Sequence, residues 1–154
     1  AKNCVLWILG SAAPGLVERL HSNGITEIPA FLKIIGTSDL ADIDAAILGS
    51  SGIVLPIISG EGSNLKTAQA LLSNKCVLGT THSFRSFEIF ADEPGVFVCE
   101  SIADLASLMT KKNPEQNYIR TDSVSNLHWD EILEGLPAFF DQTTNNKPNF
   151  GVVK

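Results

Sequence analysis

An α/β fold built on a parallel sheet is predicted by three observations. Short apolar runs alternate with helix-like stretches along most of the chain, the pattern of repeated βαβ units. One such run, from Gly52 to Ile58, reads as a buried strand and passes through a glycine loop into a helix. No internal repeat or low-complexity block interrupts the alternation. The expected arrangement is a sheet with helices on both of its faces.

The apolar runs cover residues 4–9, 32–35, 53–58, 76–78 and 96–99, and strands are expected at 4–9, 32–35, 53–55, 76–78 and 96–98. Helices are expected at 14–21, 41–48, 64–72, 84–91, 102–110 and 127–136. In the third of these, Leu65, Ala68 and Leu72 fall at i, i+3 and i+7 and form one apolar stripe. Ser101 and Asp104 have capping-box spacing, which starts a helix at 102. Trp129, Ile132, Leu133 and Leu136 give the last helix a firm apolar face. Beyond Pro137 the text turns polar and turn-rich, so residues 1–140 read as one α/β domain and 141–154 as a loosely held tail.

The segment from Ser59 to Leu72 carries most of the functional information. A strand, a loop with Gly60 and Gly62, and a helix N-terminus follow one another, an order that makes an anion site. Ser63 or Asn64 is placed to cap the first turn. Lys66 sits in that turn, where the helix dipole disfavours a cation unless an anion is nearby. Lys66 and the N–H groups of Asn64 and Leu65 are therefore expected to share a diphosphate. Farther on, Arg85 is a phosphate or carboxylate partner, paired at i, i+3 with Glu88 on one helix face. His82 follows a strand end, where ligands of α/β sheets collect. Asp39, Asp42 and Asp44 read as a solvated helix N-terminus.

Taken in order, these segments resemble the retaining glycosyltransferases with two Rossmann-like domains, the GT-B architecture of the Glu-x7-Glu kind. Ser59–Leu72 resembles their Glu-x7-Glu region, and Cys76-Val-Leu-Gly-Thr-Thr-His82 their next strand and loop. Ser83-Phe-Arg-Ser-Phe-Glu88 is similar to a Phe-Arg-Gly-Phe-Glu stretch in one branch. Val5–Ser11 resembles the strand that opens the donor-binding half, and Trp129 a tryptophan near the C-terminal helix. The resemblance covers roughly residues 4–136.

It implies a nucleotide-sugar donor bound at the carboxyl edge of a Rossmann-like sheet, with no metal and no cofactor. Glu61 and Gln69, seven residues apart, take the places of the two glutamates. Glu61 would contact the donor sugar at the reacting centre and Gln69 the ribose, the latter without the charge of a carboxylate. Gly60, Gly62, Ser63, Asn64, Leu65 and Lys66 would cradle the diphosphate. Gly10 and Ser11 would approach it from the opposite wall, Gly36 and Thr37 would meet the base, and His82 and Arg85 would complete the donor set. The opening strand and helix of the donor half, with its basic pair, and the acceptor-binding half have no counterpart. A fragment starting within its domain, and lacking its N-terminal acceptor partner, is therefore the expectation. The acceptor of the parent enzyme would be a saccharide or a lipid-linked saccharide. A domain that has lost donor chemistry and serves as an interaction module is the rival reading, and half of a nucleotide-sugar epimerase a second.

Composition sets outer limits. The chain has 154 residues, 44% hydrophobic and 18% charged, which describes an ordinary folded domain. A net charge of -6 argues against a nucleic-acid surface. No apolar run spans a bilayer, which leaves at most a peripheral membrane association for the parent. The three cysteines, Cys4, Cys76 and Cys99, cannot all pair and lie in or beside strand-like runs, so small buried hydrophobes in a reducing cytoplasm are expected.

Overall fold

The computed structural model describes residues 5–10, 13–36, 39–61, 64–111 and 117–128. The fold class is α/β with parallel strands throughout, Rossmann-like in its alternation of strand and helix. The five strands among the described residues fall into two parallel sheets rather than one. The chain divides into two compact units, Ala1–Gly49 and Ser50–Lys154.

The first unit contains β1 (Leu6–Leu9), α1 (Ala13–Ser22), β2 (Leu32–Ile35) and α2 (Leu40–Gly49). β1 and β2 pair in parallel, Leu6 opposite Leu32 and Leu9 opposite Ile35. α1 packs on β2. The aspartate cluster does what a helix start asks of it: Asp39 accepts the Asp42 N–H at 2.8 Å. Ala13 alone reaches full burial among this unit's described residues. Trp7, opposite Lys33, is 53% exposed, and Val5 and Phe31 are exposed as well.

The second unit holds β3 (Gly52–Leu55), α3 (Leu65–Leu72), β4 (Cys76–Thr80), β5 (Val96–Cys99), α4 (Ile102–Lys111) and α5 (Asp122–Ser125). The sheet order is β3-β4-β5, all parallel. Alternate strand residues feed two separate cores. On one face Leu55, Val77 and Val96 meet Ala70 and Leu71 of α3 and Val124 of α5. On the other, Cys76, Leu78 and Cys99 meet Leu105 of α4. The sheet is thus covered on both faces, as parallel strands require. Ser101 caps the start of α4 as expected, its Oγ accepting the Asp104 N–H at 3.1 Å, while the Asp104 carboxylate accepts from that same hydroxyl at 2.6 Å rather than from the Ser101 backbone.

Two expected elements are corrected. Residues 84–91 are not a helix but lie in two 3-10 turns, Thr81–Phe84 and Glu88–Phe90, separated by Ser86 at φ +69°. A side chain at that φ cannot continue a right-handed helix. The expected helix at 127–136 is not present at Leu127 and His128, which follow α5 as a turn. Its remainder, with Trp129, lies outside the described residues, as does the tail. No helix among the described residues is long and apolar enough to cross a membrane.

Candidate site at the carboxyl edge of the three-stranded sheet

The carboxyl edge of the second unit is organised by three hydroxyls. β3 stops at Leu55 because Pro56 has no N–H to give. Ser83 Oγ then donates to the Leu55 carbonyl and accepts the Ile57 N–H at 3.3 Å. Thr80 Oγ1 donates to the Ile57 carbonyl and accepts the Ser83 N–H at 3.2 Å, capping the first 3-10 turn. Thr67 Oγ1 in α3 donates to the Ser83 carbonyl at 2.6 Å. All three side chains are buried, so each bond also removes a desolvation cost.

These bonds reset the orientation of α3. Its buried residues are Thr67, Ala70 and Leu71, whereas Leu65 is 64% exposed and Ala68 and Leu72 only pack against the core from its margin. The expected stripe of Leu65, Ala68 and Leu72 is therefore not the core face. Burying Thr67 on the Ser83 carbonyl turns the helix away from it. Asn64 is the N-cap residue by position, yet its side chain makes no capping bond. Its amide instead donates to the carbonyls of His82 and Ser83 at 2.9 and 3.0 Å. The start of α3 is in this way stitched to the turn after β4.

The loop after β3 is held from the same turn. Arg85 Nη1 donates to the Gly60 carbonyl and lies 3.2 Å from His82 Nε2. An arginine only donates, so Nε2 is the acceptor nitrogen of that ring. Gly60 has φ +131°, a conformation that favours glycine. Glu88 does not form a helical i, i+3 pair with Arg85, because the turn at Ser86 separates them. Its carboxylate accepts the Ser86 N–H at 3.0 Å. Backbone N–H donors at Glu88 and Ser86 lower its pKa, helped by the Arg85 charge.

The structure brings together Gly60, Asn64, His82 and Arg85 through the contacts above, and sets Leu65, Lys66 and Gln69 on the adjoining helix. Glu61, Lys66 and Gln69 are exposed. Gly10 and Gly36 belong to the first unit, where they meet across the sheet: the Gly10 N–H points at the carbonyls of Ile35 and Gly36, at 3.3 and 3.4 Å. Ser11, Thr37, Gly62 and Ser63 lie outside the described residues.

Sequence reasoning missed Thr67, Thr80 and Ser83. A signal was present: a threonine between Leu65 and Ala68 of the expected stripe in α3, and a strand end that runs Thr-Thr-His-Ser. It also missed a second polar centre at the amino edge of the same sheet. Arg120, 8% exposed, donates to the carbonyls of Leu71, Pro94 and Lys75 at 2.8, 2.6 and 2.5 Å. Burial lowers its pKa, opposed by the charge of Glu93. Glu93 accepts from the Thr121 N–H and hydroxyl and from Ser123. Burial pushes the Glu93 carboxyl up, but these donors and Arg120 outweigh it and hold the pKa below its usual value. A cavity of about 180 Å³ opens beside Arg120, Asn74 and His128, at the end of the strands remote from Gly60. Its lining mixes both charges, Arg120 with Asp122, and selects no ligand class. Cys76 and Cys99 are buried and not disulfide-bonded, and burial, then Asp104, raises the pKa of Cys99.

Comparison of the chain with protein families, curated proteins and solved structures finds no match.

Proposed function

We propose that the chain is the donor-binding half of a GT-B glycosyltransferase of the retaining, Glu-x7-Glu kind, binding a nucleotide-sugar at the carboxyl edge of the three-stranded sheet. The observation that carries this reading is the stitching of the β3 loop, the start of α3 and the turn after β4 into one surface by Arg85 and Asn64. That surface presents two cations, Lys66 and Arg85, beside a glycine backbone and an exposed carboxylate, Glu61. Cations and backbone N–H groups suit a diphosphate, and a carboxylate suits sugar hydroxyls. Acceptor binding and turnover belong to the partner domain in this reading, so the chain alone binds donor without consuming it.

Calorimetric titration with a panel of UDP-, GDP- and dTDP-sugars tests it. One of the panel is expected to bind, and Lys66→Ala is expected to weaken a nucleoside diphosphate by roughly ten- to a hundredfold while leaving the nucleoside unchanged. Equal losses for the two would remove the phosphate role of Lys66. Gln69→Glu is expected to tighten ribose binding by restoring an ionised acceptor. A domain that has lost its donor is favoured by Gln69 itself, and silence across the whole panel would select that reading.

A further inference from the structure

We propose that Asn23 and Gly24 form a deamidation site, and that the C-terminal cap of α1 gates it. The sequence holds one Asn-Gly pair, at 23–24. In such a pair the glycine nitrogen attacks the asparagine side-chain carbonyl carbon, and no Cβ on the second residue obstructs closure of the succinimide ring. A C–N bond forms, the side-chain amide nitrogen leaves as ammonia, and the glycine N–H proton travels to it by way of water. Water then opens the succinimide at either carbonyl, giving aspartate or isoaspartate. In the balance one water enters and one ammonia departs, with nothing oxidised or reduced. Both residues are exposed, and a Cβ at Gly24 would have nothing within 4 Å, so water reaches the pair and the ring has space to form.

The cap withholds both reacting groups. α1 ends at Ser22, and the residues after it close a Schellman motif. The Gly24 N–H donates to the His21 carbonyl at 3.0 Å and the Ile25 N–H to the Leu20 carbonyl at 2.9 Å. Gly24 takes the left-handed φ, +82°, that this motif asks of it. The attacking nitrogen is therefore engaged through its own N–H. The group it would attack is held as well: Asn23 Nδ2 donates to the Arg19 carbonyl at 2.8 Å, drawing the amide back toward the preceding turn. The Asn23 N–H and the Ser22 hydroxyl share that carbonyl. A single event, opening of the last turn of α1, frees both groups. The product cannot rebuild the cap. A carboxylate at position 23 only accepts, so the Arg19 carbonyl loses a donor, and the new charge faces the negative end of the helix dipole. Isoaspartate also adds a methylene to the main chain, which puts the two bonds of the motif out of step. Each conversion thus records one opening of α1.

Incubation of the full chain, followed by peptide mass mapping and isoaspartyl methyltransferase labelling, tests both halves of the proposal. In guanidinium, Asn23 is expected to be the first asparagine converted. In the folded chain its conversion is expected to be slower by about tenfold or more, because the rate follows the open fraction of the cap. Ile25→Pro removes the N–H given to Leu20 and leaves the Asn-Gly pair intact. It is expected to raise the folded-state rate toward the unfolded one, with circular dichroism confirming that the chain is folded. Asn23→Gln, whose longer side chain closes its ring poorly, is expected to silence the position. Another asparagine converting ahead of Asn23 in guanidinium overturns the site. Equal rates at Asn23 in the folded and unfolded wild-type chains overturn the gate, and that comparison stands whether or not Ile25→Pro folds.

Discussion

The two edges of the three-stranded sheet solve the same problem with different chemistry. At each edge the chain leaves the ladder and exposes carbonyls that need donors. The carboxyl edge uses neutral hydroxyls, Thr67, Thr80 and Ser83, each spanning a few ångströms between turns. The amino edge uses one guanidinium that closes three carbonyls at once, backed by Glu93. Glycine marks both. A Cβ at Gly79 would meet the Phe84 ring at 2.9 Å, and one at Gly95 would enter the Tyr118 ring at 2.2 Å. The difference teaches where this unit keeps its adaptability. Hydroxyl bonds are individually modest and leave the adjoining loop separately adjustable, whereas a buried charge with three acceptors must be held whole or lost.

The largest effect should come from breaking the charged edge. Arg120→Met is expected to destabilise the unit by about 3–5 kcal/mol, since three carbonyls lose their donor together and Glu93 loses the neighbouring charge. Arg120→Lys should rescue little of this, because one ammonium cannot serve three acceptors in a plane. Urea unfolding followed by circular dichroism would measure both, and a loss under about 1 kcal/mol for Arg120→Met would mean the clamp is ornamental.

A smaller loss is expected from Ser83→Ala, about 1–3 kcal/mol, because the Leu55 carbonyl and Ile57 N–H are orphaned while the Ser83 backbone still accepts from Thr67. If Ser83→Ala matches Arg120→Met in the same unfolding assay, the contrast between edges fails.

The smallest effect is a pH dependence. Glu93 has a folded pKa below its usual 4.5, so it binds fewer protons folded than unfolded just below that value. Its stabilisation is complete above pH 4.5 and is lost as pH falls through the lowered folded value. Glu93→Gln is expected to flatten the acid limb of stability against pH. Glu88→Gln should flatten it less, because Glu88 is exposed and solvent screens its donors. A larger change for Glu88→Gln would place the acid-sensitive contact at the wrong edge.

Much of the fold was legible because strands buried on both faces must be written as apolar runs. The limits of β2 coincide with expectation, and those of β3 and β5 differ by a single residue. What the apolar code hid was hydrogen bonding. Thr67 looks polar and therefore surface-bound, and only the Ser83 carbonyl, brought up by β4, makes it core. Phe84, Phe87 and Phe90 recur every three residues, which is the 3-10 period rather than the α-helical one, and the reading as a helix overlooked it. Arg120 was invisible because its acceptors are backbone atoms, which no residue type announces. At the candidate site, the residues near Gly60 were legible from a loop motif, but the reach of Arg85 back to that loop was not.

Arg120 also carries a temporal consequence. Its acceptors stand 49, 45 and 26 positions earlier in the chain. At cellular rates of synthesis, roughly 2–10 s separate the appearance of Leu71 from that of Arg120. By the end of that interval every strand of the sheet has been made, yet its lower margin stays open until the arginine leaves the ribosome. A pause before that codon would hold a nascent chain with its sheet residues complete and three carbonyls still turned to water, available to a chaperone or to a neighbour's donors.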